Sequence, residues 1–236
     1  FKGKKFQDVR TAFNHAKREG IRAEWASYPS LSPQLKQQVD AICQAWADEK
    51  ALPEMGFTLG GLREINDSDT RLLLALDEEE RIHAVTSWMP VHSGGKVIGL
   101  TLDVMRRDDS GFRLAIDFLI GQAALLAQDE GLQFISLSGA PLAESGQCEE
   151  SAELADSRFA FAPVLDVMGS VMEPVYGFRS LLAYKKKFQV RFVPLYLAIP
   201  DIANAPAVGL AIAHAYLPNM SAVSAVGVAA KLVSRD

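Results

Sequence analysis

Three apolar runs follow one another at close spacing, and they restrict the fold more than any other feature of the chain. Residues 70–76, 82–91 and 96–105 are rich in Leu, Val and Ile, with the acidic DEEE at 77–80 and SGG at 93–95 as the turns between them. Connections this short join antiparallel neighbours and cannot carry a crossover. The spacing therefore predicts an antiparallel meander. Residues 112–128 follow as a helix that is apolar almost all round, which requires burial on both sides, and Gly131 ends it. A short buried strand is expected at 134–137.

The flanks read as follows. Residues 6–19 form an amphipathic helix, with Phe6, Val9, Phe13 and Ala16 at three- and four-residue spacing and Gly20 as its stop. A strand is expected at 21–27. Ser32 can cap a second helix with Pro33 at its first position, running to about residue 49. The segment KALPEMGFTLGGL is a loop by its Gly and Pro content. Beyond 137, the acidic stretch 144–156 reads as a surface loop. Helices are expected at 158–172 and 178–187, a strand at 190–199, and a short helix at 207–215. The resulting order resembles the later part of an acyl-CoA N-acetyltransferase (GNAT) fold: an α/β (α+β) chain with a mixed, mostly antiparallel sheet flanked by helices. Such a likeness of architecture names no substrate.

Composition excludes several functions. With 236 residues, 49% hydrophobic and 22% charged, the chain is ordinary for a folded domain. A net charge of −5 argues against a broad nucleic-acid surface, so any RNA contact must rest on a local basic cluster. Cys43 and Cys148 lie in no metal or redox spacing, and the four histidines show no ligand pattern. No metal site and no Ser/His/Asp triad is expected. No apolar run approaches the roughly 20 residues that span a bilayer. The chain begins without Met in the middle of an element, which reads as a piece of a longer polypeptide.

Four constellations carry chemistry. The strand at 96–105 delivers Asp103 and Arg106 to a sheet end, where α/β sheets usually place their sites. They read equally as a local ion pair and as a carboxylate beside an anion-gripping guanidinium. The turn after them, RRDDSGF, sets Asp108 and Asp109 where a coenzyme A enzyme needs backbone N–H groups for pyrophosphate. This argues against that donor. AYKKKFQVRF (183–192) is the one dense basic cluster, either a solvated helix end or a phosphate site for RNA or lipid. Lys185 and Lys187 cannot share a helix face, so only one of them points inward. Glu173 ends the preceding helix, and Arg10 and Asn14 sit four apart on the first helix.

FKGKKFQDVRTAFNHAKREGI, MGFTLGGL, LTLDVMRR, ISLSGAPLA and YGFRSLLAYKKKFQVRFVPLYLA occur in this order over residues 1–217. Together they resemble the aminoacyl-phosphatidylglycerol synthases (phosphatidylglycerol lysyltransferases, multiple peptide resistance factors), in wording closest to the actinobacterial type. The resemblance implies a linking helix and strand at 1–30, the second of two GNAT-like halves at 31–217, and a tail or linker at 218–236. It implies a parent with a transmembrane region, acting at the cytoplasmic face of the membrane. That parent would transfer an amino acid, lysine favoured, from aminoacyl-tRNA to the glycerol headgroup of phosphatidylglycerol, without a cofactor. The first half and, in some members, a fused lysyl-tRNA synthetase would be its partners. The product lowers the membrane's attraction for cationic peptides and so confers resistance to them.

Residue by residue, the resemblance assigns Asp103 and Arg106 to a DxMR motif as catalytic groups. It assigns Lys185 and Lys187 to an FKxKF motif in which Tyr184 stands for the usual Phe, Arg10 and Asn14 to an RxxxN on the linking helix, and Glu173 more loosely. These last five are expected to bind substrate. Two rival readings are a coenzyme A-dependent GNAT N-acyltransferase and a non-catalytic tRNA- or membrane-binding module.

Overall fold

Apolar runs buried at successive positions and closely spaced turns produce a sheet whose two faces are covered by different helices. The computed structural model describes residues 1–48, 60–139, 178–193, 198–204, 207, 208 and 211. The chain divides into two compact units, Phe1–Lys50 with Leu59–Ser138, and Ala51–Thr58 with Gly139–Asp236.

In the first unit the order is α1 (Gln7–Arg18), β1 (Arg22–Ala26), α2 (Pro33–Asp48), α3 (Leu62–Ile65), β2 (Arg71–Leu76), β3 (Ile82–Ser93), β4 (Lys96–Arg107), α4 (Ala115–Asp129) and β5 (Phe134–Ser136). The five strands lie in sequence order, with β1 to β4 antiparallel and β5 parallel to β4. The expected meander and the mixed, mostly antiparallel sheet flanked by helices are present. The Ser32 hydroxyl accepts the Leu35 N–H at 3.3 Å and starts α2, as its cap position predicts.

One face of the sheet packs on α2. Val39, Ile42 and Cys43 meet Leu72, Leu74, Leu76, Val85 and Val104 in a buried core. The other face packs on α4, which in turn carries α1. There Phe13 stacks edge-on to Phe118 at 5.5 Å. The two helices close tightly at Gly121, where a Cβ would lie 2.5 Å from Cε2 of Phe13 and 3.1 Å from Cγ1 of Val9. Gly121→Ala should therefore lower stability by about 1–3 kcal/mol through overpacking, despite Ala's better helix propensity. A denaturant melt checks this, and an unchanged or higher midpoint would count against so close a packing.

In the second unit, α5 (Phe178–Lys186) matches the expected helix at 178–187. The expected strand at 190–199 does not form among its described residues, 190–193 and 198–199. Turn hydrogen bonds at Lys187, Phe188 and Gln189 and the positive φ of Gln189 (52°) lead the chain out of α5. The alternation of Val190 and Phe192 marks sidedness only, and no ladder partner reaches these residues among those described. The α3 turn and a 3-10 turn at Ile202–Asn204 were not expected from sequence. The expected elements at 144–156 and 158–172, the tail at 218–236, and Cys148 lie outside the described residues. So does most of 207–215.

Among the described residues, no helix is long and apolar enough to cross a membrane.

Candidate functional site

Asp103 and Arg106 are three apart on β4, and a regular strand would send them to opposite faces. The pairing with β3 shows why they do not go there. Thr86 is opposite Met105 and Trp88 is opposite Leu102, so β4 takes three steps where β3 takes two. This is a β-bulge that sets both Asp103 and Val104 against Ser87. The Val104 N–H, displaced from the ladder, donates instead to the Ser87 hydroxyl at 2.9 Å. Beyond the bulge, Arg106 pairs with Val85 on the α2 face. Both charged side chains thereby arrive on one side of the sheet.

They meet at Gly60. Its N–H donates to Asp103 Oδ1 at 3.1 Å, and its carbonyl accepts from Arg106 Nη2 at 3.5 Å. Glu64 steadies this turn by accepting the Gly61 N–H at 2.9 Å. Arg106 is only 6% exposed, and its Cζ lies 3.2 Å from the centre of the Trp46 ring at the end of α2. No direct Asp103–Arg106 ion pair joins them among the described residues. The simple local ion pair is thus replaced by two groups bridged through the backbone of one residue, Gly60.

The carboxylate is left under tension. Its Oδ2 is buried and has no hydrogen-bond partner among the described residues. Burial pushes the Asp103 carboxyl above its ordinary value, against the Gly60 N–H; Glu64 adds to the rise and Arg106 opposes it. Such a group accepts strongly from any hydroxyl or ammonium brought to Oδ2.

The turn after β4 is closed to phosphate. The Ser110 N–H is held by the Asp108 carboxylate at 2.9 Å, the Gly111 N–H by the Asp108 carbonyl at 3.0 Å, and the Phe112 N–H by His83 Nδ1 at 2.9 Å. Arg81 pairs with Asp108, and Arg107 with Asp109. The backbone donors that a pyrophosphate would need at 110–112 are already engaged.

The remaining expected residues lie elsewhere. Arg10 donates to the Gly3 carbonyl at 2.5 Å and Asn14 is exposed. Both are on α1, which packs on α4, the side of the sheet away from Asp103 and Arg106. In the second unit Lys185 is 5% exposed and donates to the Gly139 carbonyl at 2.7 Å. Burial lowers its ammonium pKa to about 8. Lys187, just past α5, places its ammonium 4.7 Å from the centre of the Tyr184 ring. Lys185 is buried on α5, whereas Lys187 is half-buried beyond its end, so the expected contrast between two faces of one helix does not apply to this pair. Glu173 lies outside the described residues. Among the described residues no group of His, Cys, Asp or Glu could hold a metal ion.

Sequence reading missed Trp46, Gly60 and Ser87. Gly60 was visible only as half of the GG in a loop, and Trp46 only as an aromatic three residues beyond Cys43 on the buried side of a helix.

Known proteins resemble the chain over most of its length. The family model described as phosphatidylglycerol lysyltransferase, C-terminal, matches residues 1–199. An uncharacterized protein of Corynebacterium glutamicum is 46% identical over 217 residues, which are 92% of this chain and 26% of that protein. The lysylphosphatidylglycerol biosynthesis bifunctional protein LysX of Mycobacterium avium is 27% identical over 212 residues, 89% of this chain and 17% of that protein. The chain thus spans about a quarter or less of the length of these relatives. Among solved structures, L-PGS from Bacillus licheniformis shares the fold with a TM-score of 0.67 at 21% identity, covering 91% of this chain and 61% of that one.

Proposed function

The chain belongs to the phosphatidylglycerol lysyltransferase C-terminal family, and from this we propose that it is catalytic machinery for moving an amino acid from aminoacyl-tRNA to the glycerol headgroup of phosphatidylglycerol. Lysine is the favoured amino acid, in line with the relative named for lysylphosphatidylglycerol biosynthesis. The full-length protein would work at the cytoplasmic face of the membrane. Its product would make that membrane less anionic and less attractive to cationic peptides.

The observation that carries this reading is the pair on one sheet face: a buried carboxylate oxygen with no hydrogen-bond partner among the described residues, beside a guanidinium held in place. The reaction is a transesterification. The glycerol hydroxyl oxygen bonds to the ester carbonyl carbon, the bond from that carbon to the tRNA ribose oxygen breaks, and the hydroxyl proton ends on the ribose oxygen. Exchanging one ester for another is nearly thermoneutral, so positioning and charge stabilisation suffice without a covalent enzyme intermediate. Asp103 Oδ2 would accept from the attacking hydroxyl or from the amino acid's ammonium. Arg106 would hold a phosphate. Lys185 or Lys187 would bind the tRNA end or the lipid phosphate. With its pKa lowered to about 8, Lys185 is still mostly cationic at neutral pH. The engaged N–H groups at 110–112 favour this donor over coenzyme A.

A transfer assay tests the reading. The full-length protein, given phosphatidylglycerol vesicles and tRNA charged with labelled lysine, should place label in the lipid fraction, and free lysine without tRNA should place none. No lipid label with lysyl-tRNA or with tRNA charged with any other amino acid would overturn it, as would label appearing only in water-soluble acceptors.

A further inference from the structure

We propose that Trp46 is a positioning residue for this reaction: its indole face fixes the plane of the Arg106 guanidinium, so that Arg106 can grip an anionic substrate group only through its edge. The proposal rests on the role given to Arg106 above.

The geometry starts with α2. Ile42 and Cys43 lie on its buried side, and Trp46, one helical turn further on, continues that side beyond the core to the site end of β4. There the ring covers one face of the guanidinium at 3.2 Å from Cζ to ring centre. A guanidinium is planar and its five N–H bonds all lie in that plane. Stacking removes none of these donors; it fixes their direction. The Gly60 carbonyl takes one of them from the side, at Nη2. Because Arg106 is almost wholly buried, solvent does little to reorient it, and the stacked ring restrains its plane together with the Gly60 carbonyl. An anion then meets a fork already turned toward it, and less rotamer entropy is lost when it binds. Lysine at 106 would have neither the plane to stack nor the fork to present.

The test uses the full-length protein in the transfer assay, with phosphatidylglycerol varied. Trp46→Leu, which keeps apolar bulk but has no π face, should raise the KM for the lipid about tenfold while kcat changes little. Trp46→Phe should restore most of the loss, because a ring is back over the guanidinium. A side chain that only fills space would treat Leu and Phe alike. A double-mutant cycle adds a second readout, on variants whose denaturant melts match the parent's: in an Arg106→Ala background Trp46→Leu should have no further effect, whereas a purely structural role gives additive losses. Equal kinetics for the Leu and Phe variants, or additivity in the cycle, would overturn the proposal. If Arg106→Ala alone leaves transfer unchanged, it is the role of Arg106 that fails, and the two failures are thereby told apart.

Discussion

Asp103→Asn should reduce amino acid transfer by about a thousandfold while leaving the protein at least as stable as the parent. Activity and stability part company because the carboxylate is held in a place that suits its work better than its comfort. Asn has the same shape, and its carbonyl oxygen can still accept the Gly60 N–H that Asp103 Oδ1 accepts now. What it loses is the charge at Oδ2, the atom proposed to receive the hydroxyl or ammonium. Losses of about 10²–10⁴ are usual when a proton-handling or charge-stabilising group is removed from a site.

The stability side follows from the direction of the pKa shift. Burial raises the folded carboxyl above the unfolded value of about 3.9. Between those two values the folded state binds more protons than the unfolded one, so stability falls as pH rises through that window and stays lowered above it. The Asn variant has no such slope. Denaturant melts from pH 4 to neutral should therefore show the parent losing ground to Asp103→Asn as pH rises. A variant with full transfer activity, or one less stable than the parent at neutral pH, would contradict the placement of this carboxylate.

The residues of this site were easier to read than their arrangement. Turn spacing and apolar runs were enough for β2, β3 and β4, because each strand's sidedness and its short connection are local properties. The Ser32 cap and the start of α2 at Pro33 were local as well. Asp103 and Arg106 stood out as charges at the end of an apolar strand, yet a period of two places them on opposite faces. Only the pairing of β4 with β3 displays the extra residue opposite Ser87, and pairing is a property of two strands at once. Trp46 and Gly60 reach the site across 60 and 43 positions of sequence from Arg106 and Asp103 respectively, so nothing in their neighbourhoods marks them. The strand expected at 190–199 is absent at its described residues, 190–193 and 198–199, for a related reason: alternation says which side is apolar, but an edge to pair with is not written in the segment itself.

Gly60→Ala carries the second large effect, since this position touches both charged groups through its backbone alone. A Cβ built there would overlap the Asp103 Oδ2 and carboxyl carbon and lie 2.8 Å from Oδ1. The carboxylate is the terminus of a short, half-buried side chain on a bulged strand, and it has little room to retreat. Either it swings off the Gly60 N–H, or the turn at 60–61 lifts away and takes the carbonyl from Arg106. Both movements dismantle the arrangement, so transfer should fall by at least about a hundredfold. Stability should drop by about 1–3 kcal/mol from the overpacking. The two substitutions should not add. Asp103→Ala removes the atoms that the new methyl group strikes, so Gly60→Ala made on that background should cost much less stability than it does alone. Thermal or denaturant melts of the two single variants and the double variant measure that coupling directly. Additive losses would mean that Gly60 and Asp103 do not share the close contact on which the site depends.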